Sequence, residues 1–154
     1  MMQRKWIALA ATLAFGLGLG ATAFSEPADD DASPLGQIME KVQKNKAIIT
    51  KGTRNVASYK KSQKEVEDAA KDWAKLAKES KPLNDAAKAA KGQADPVKKW
   101  DELMDLWAKE SEKLAEIAAK ADSTQKDAKD QLNTINKTCT ECHQVFRIDA
   151  EESF

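Results

Sequence analysis

From position 34 onward the apolar residues recur at intervals of three and four, the spacing that lines one face of a helix, and no segment alternates in the period-two manner of a strand. Leu35, Ile38, Met39, Val42 and Ile49 form the first stripe. Ser33-Pro34 opens it, a capping hydroxyl followed by a residue whose missing N–H is not needed in the first turn. Gly52 closes it as a residue that tolerates a left-handed C-cap. A second stripe, Val56, Tyr59, Gln63, Val66, Ala70, Trp73 and Ala77, predicts a helix over 53–80 that Pro82 stops. Between 81 and 95, Pro82, Asn84 and Gly92 break up an Ala/Lys stretch with room for one short helical turn, which reads as a crossover. Asp95-Pro96 then repeats the cap-plus-proline start, and Val97, Trp100, Leu103, Met104, Trp107, Leu114, Ile117, Ala118 and Ala121 carry a third face. After Asp122-Ser123, Ala128, Leu132, Ile135, Cys139, Cys142 and Phe146 mark a fourth, followed by a short polar tail.

Four amphipathic helices with short links and one crossover bury their stripes best when packed nearly parallel to one another. The expected fold is therefore all-α, an antiparallel four-helix bundle.

The chain before position 34 is of a different kind. Arg4 and Lys5 precede an uncharged run from Trp6 to Gly20, and Ala21-Thr22-Ala23 has the small-x-small pattern that a signal peptidase reads. Residues 1–23 are expected to be a signal peptide, with a membrane anchor as the rival because the uncharged run approaches the roughly 20 residues that span a bilayer. Residues 24–33, rich in acid and poor in apolar groups, form a flexible linker, and 34–154 the single domain. Export implies the periplasm.

The full chain carries 25 basic and 25 acidic residues, and both basic residues of the leader are lost on cleavage. The slightly acidic, well-mixed remainder argues against nucleic acid as a partner. No window past the leader is apolar enough to cross a membrane.

Cys139-Thr140-Glu141-Cys142-His143 is the one pattern in the chain that carries chemistry. Residues three apart on a helix share a face, so two thiols can form thioethers to the edge of a haem while the next side chain aims imidazole at its iron. His143 is the only histidine, hence the only imidazole available as axial iron ligand. Exported cysteines otherwise pair as a disulfide, and two thiolates with an imidazole offer three of the four ligands of a zinc or copper site. Both remain alternatives. A thioredoxin-type redox pair is disfavoured by the lack of a strand–helix unit.

An export signal, four helical stripes and a C-terminal Cys139-Thr140-Glu141-Cys142-His143-Gln144-Val145-Phe146-Arg147 together resemble the class II cytochromes c, the cytochrome c-prime and c-556 family. The specific part of the resemblance is the last segment, with arginine four residues after the histidine; elsewhere it is architectural. It implies one covalent haem c on Cys139 and Cys142 near the C-terminus of the last helix, an axial bond from His143, and Arg147 near the haem propionates or the proximal ligand. It also implies that a first-helix side chain covers the opposite haem face, Met39 being the candidate second axial ligand. The family's arginine-glutamine pair near the start of that helix is absent, and counting back from Gly52 puts Leu35 or Gly36 in that role instead. Met104, an alternative sulfur that does not fit the family pattern, is read as core, Trp73, Trp100 and Trp107 as core or pocket wall, and Tyr59 and Gln63 as polar members of a buried seam that could meet a propionate or a water.

With Met39 bound the iron is six-coordinate and the protein a one-electron carrier for transient redox partners. With an apolar cover it is five-coordinate and binds nitric oxide or carbon monoxide. A non-haem helical module is the third reading. Family members often form homodimers through the first two helices. No nucleophile with a base, acid/base pair or phosphate-cradling loop is present, so an enzyme is not expected.

Overall fold

A computed structural model describes residues 33–90, 92 and 94–146; the leader, most of the linker and Arg147 lie outside them. Among the described residues the fold is all-helical: α1 Pro34–Gly52, α2 Val56–Ser80, α3 Asp85–Ala89, α4 Pro96–Ala119 and α5 Gln125–Phe146. No described helix is long and apolar enough to cross a membrane.

The helix starts are set by side chains that satisfy otherwise unpaired N–H groups. Ser33 Oγ accepts from Gly36 N at 2.9 Å, Asn55 Oδ1 from Ser58 N at 2.8 Å and Asp95 Oδ1 from Lys98 N at 3.1 Å. Before α5, Thr124 and Asp127 bond reciprocally, each side chain taking the other's backbone N–H.

The four long helices run alternately up and down. Trp73 Nε1 donates to Val42 O at 3.0 Å and Asn45 Nδ2 to Asp72 Oδ2 at 2.7 Å, an order that makes α1 and α2 antiparallel. Lys78 with Glu112 and Lys81 with Asp105 do the same for α2 and α4, as do Lys99 with Glu141 and Gln131 with Glu110 for α4 and α5. α2 and α4 form the most extensive pairing; α1 lies on α2 and α5 on α4, while α1 and α5 barely approach each other. Short α3 sits against α4 through the buried Ala87.

One end of this arrangement is closed by polar contacts. Tyr59 Oη and Ser123 Oγ lie 2.9 Å apart, Gln63 Nε2 donates to Lys120 O at 2.7 Å, and Gln125 Nε2 donates to Thr53 O at 2.6 Å. Tyr59 and Gln63, the polar members of the seam, spend their side chains on this latch at the α4–α5 turn. The other end holds Trp100, whose ring meets Phe146 edge-on at 5.4 Å and whose Nε1 donates to Lys81 O at 3.0 Å.

Three details depart from the hydrophobic pattern. Gly52 is not a left-handed cap: it is the last helical residue, followed by Thr53 at φ −91°, and a Cβ there would come within 2.5 Å of Val66 Cγ2. Val56 stands 58% exposed as the first residue of α2 rather than in the seam. Ala121 is exposed because α4 ends at Ala119.

Candidate functional site

Between α1 and α5 lies a cavity of about 310 Å³. Its walls are Met39, Val42, Gln43 and Lys46 from α1, Trp73 from α2, Met104 and Trp107 from α4, and Asn136, Thr138, Cys139, Thr140, Cys142 and His143 from α5. The α1 contribution follows helical geometry, since residues four and seven beyond Met39 share its face. Cys139, Cys142 and His143 thus face the same space as Met39. Leu35 and Gly36, the alternatives to Met39, are not part of the wall.

The motif occupies the last two turns of α5. There the unpaired carbonyls give the helix its negative pole, which opposes a thiolate. Both cysteines are half-buried and neither forms a disulfide. Burial pushes the Cys139 thiol up, with the Lys46 ammonium pulling back against it. Burial, then Cys139 and Glu141, push Cys142 up to about 11. Both are neutral thiols at pH 7. Glu141, between them in sequence, is drawn outward into an ion pair with Lys99 of α4.

Among the described residues no acidic side chain lines the cavity. The polar lining groups are one lysine, one imidazole, two amides, two hydroxyls and two thiols. Trp107 is only 4% exposed, and its Nε1 has no hydrogen-bond partner among the described residues. Trp73, by contrast, uses its Nε1 to hold the Val42 carbonyl. Among the described residues no three His, Cys, Asp and Glu side chains gather to hold a bare metal ion.

Sequence pattern singled out Met39, Cys139, Cys142 and His143, and the fold brings these together. Trp107, read as core or pocket wall, and Met104, read as core alone, are buried and line the cavity as well. Gln43, Lys46, Asn136 and Thr138 escaped notice; for the first three the only available signal was a spacing of four and seven from Met39 and of three from Cys139, on the same helix faces. Arg147 lies outside the described residues. No protein-family model, curated protein or solved structure matches the chain.

Proposed function

We propose that this chain is an exported c-type cytochrome, an antiparallel four-helix bundle resembling the class II cytochromes c, which holds one haem c between α1 and α5 and carries single electrons for transient periplasmic redox partners. The observation that carries the reading is that Cys139, Cys142, His143 and Met39, from opposite ends of the sequence, line one cavity.

The donor set suits a porphyrin better than a bare ion. A structural metal needs about four protein ligands, whereas iron held in a porphyrin asks the chain for one or two. His143 supplies a nitrogen and Met39 a thioether sulfur. Cys139 and Cys142 are the attachment points: each S–H adds across a vinyl group, sulfur to one carbon and hydrogen to the other, with no net oxidation. When bound, the haem supplies a one-electron iron couple, whose potential is tuned by axial ligand and burial. Val42, Trp73, Met104 and Trp107 form the buried, largely apolar part of the wall.

The test is to produce the full chain in a host able to attach haem c, and to record its mass and its optical spectrum, oxidised, reduced and with carbon monoxide. The expected result is a chain heavier by one haem, low-spin, with a sulfur-to-iron band and no response to carbon monoxide. A high-spin spectrum that shifts with carbon monoxide would replace the electron carrier by a five-coordinate gas binder. A chain without covalent haem would return the motif to a disulfide or metal site.

A further inference from the structure

Charges that are mixed along the sequence are sorted in space. Where α4 meets α2 and α5, lysines are held in ion pairs: Lys78 with Glu112, Lys81 with Asp105 and Lys99 with Glu141. The cleft between α1 and α5 is different. Lys46 on α1, and Lys129 and Lys137 on α5, are exposed and make no ion pair among the described residues. Lys46 itself lines the cavity. Lys129 comes seven residues before Asn136 and Lys137 three before Thr140, so helical spacing sets both along the flank of α5 that carries those two lining residues. The four acids of α1 and α5 are all engaged elsewhere: Glu40 with Lys44, Asp130 with Lys126, Glu141 with Lys99, and Asp127 in the Thr124 cap. The mouth of the cleft keeps three uncompensated cations.

Cations of one sign around one opening set the field that an approaching partner meets. It draws in carboxylates and repels other cations. A second copy of the chain, docked through the same opening by a twofold axis, would set lysines against lysines. A bilayer is bound where cations stand beside exposed apolar side chains. The exposed large apolar residues are elsewhere: Ile48 is two residues beyond Lys46 and so on the opposite side of α1, Val56 begins α2, and Leu106 is on α4. A folded protein with a patch of carboxylates fits instead. Lys51, Arg54, Lys60 and Lys61 also lack ion pairs, but they flank Thr53 and Tyr59 at the closed end, away from Cys139.

We infer that the mouth of the α1–α5 cleft, flanked by Lys46, Lys129 and Lys137, is the docking surface for a redox protein with an acidic patch. This rests on the cytochrome reading above and adds the chemistry of the partner. The electron passes through the opening that leads to the proposed haem site, and the lysines gather the partner's carboxylates around it. Such charges speed encounter more than they tighten the complex, so association is fast, brief and sensitive to salt.

The probe is plant-type ferredoxin, a small acidic iron–sulfur protein of low potential. Reduced ferredoxin gives one electron to the ferric, haem-loaded chain, its cluster being oxidised as the haem iron is reduced, and the second-order rate is read by stopped flow. The expected result is a rate that falls about tenfold between about 10 and 300 mM salt. At low salt Lys129→Glu/Lys137→Glu should slow it about tenfold, and Lys75→Glu/Lys109→Glu, an equal charge change on α2 and α4, less than about twofold. Equal slowing by both pairs overturns the inference, because net charge alone would then set the rate. So does a rate indifferent to salt; if the chain also pellets with phosphatidylglycerol vesicles and Lys129→Glu/Lys137→Glu abolishes that, the surface belongs to a membrane. If the variant does not accumulate, the unsubstituted protein labelled with ¹⁵N and titrated with oxidised ferredoxin decides. Amide shifts within 43–50 and 129–140 support the surface, and shifts centred on 51–61, or none, remove it. Absence of covalent haem in the wild type would overturn the cytochrome reading and this inference together; haem present with transfer indifferent to salt overturns this inference alone.

Discussion

On the cytochrome reading proposed above, Cys139, Cys142 and His143 would each carry a separable share of haem binding, and single substitutions should separate them. Cys139→Ser and Cys142→Ser each leave one attachment point, so a fraction of the chain keeps a singly linked haem; the double variant loses the covalent mass altogether, as mass spectrometry will read. His143→Ala is expected to keep the thioethers and lose the low-spin spectrum. Glu110 gives a prediction independent of haem. It is buried, and hydrogen bonds from Lys113 and Gln131, at 2.7 and 2.8 Å, hold its carboxyl below the ordinary range. A carboxyl whose folded-state pKa is depressed adds stability that is complete above its unfolded value of about 4.5 and vanishes as pH falls through the folded one. Thermal midpoints should therefore drop on acidification below about pH 5, and Glu110→Gln should flatten that drop. The Cys139–His143 cluster was legible in sequence because its spacing is local and its residue types are rare. The Gln43, Lys46 and Asn136 part of the wall was not, because a polar side chain on a cavity rim has the same helical spacing as one on a solvated face.

The long helices, by contrast, were readable to within a few residues from caps and prolines, and their exceptions have physical causes. α2 buries Ala69, Ala74 and Leu76 beyond the expected seam because it is packed against both α1 and α4, so its apolar arc is wider than one partner requires. Gly52 was assigned a turn role that its conformation does not use; its value lies in the missing Cβ. Gly52→Ala should force Val66 aside and lower stability by about 1–3 kcal/mol, less whatever helix propensity returns, in denaturant unfolding. Tyr59→Phe tests the latch: it removes one hydrogen bond worth about 0.5–1.5 kcal/mol. Because Gln125, beside that latch, lies about 21 Å along α5 from Cys139, the thermal midpoint should fall while the haem spectrum stays unchanged. A spectral change would reinstate Tyr59 as a neighbour of the bound group.

Across the whole molecule, burial is uneven. α2 and α4 supply most of the core, whereas α1 buries few residues and reaches α5 chiefly across the cavity. In the Cys139→Ala/Cys142→Ala protein, amide hydrogen exchange is expected to quicken first in α1 and in the last turns of α5, with α2 and α4 protected up to global unfolding. Uniform loss of protection would show instead that the cavity's contents hold up the entire fold.

The hydrogen bond from Gln125 to the Thr53 carbonyl ties the start of α5 to the cap of α1 at one end, beside the Tyr59 and Gln63 bonds that hold α2 to the α4–α5 turn, and the cavity lies between α1 and α5 toward the other end. Mechanically this is a pair of tweezers: two arms, a pivot, and a gap whose width amplifies any give at the pivot. A covalently tethered occupant would brace the arms from within, so the tips are stiff when loaded and compliant when empty. Loosening the pivot with Gln125→Ala would then leave equilibrium haem content unaltered, yet speed the passage of small molecules between the tips, a change visible in the rate of quenching of Trp107 fluorescence in the haem-free chain.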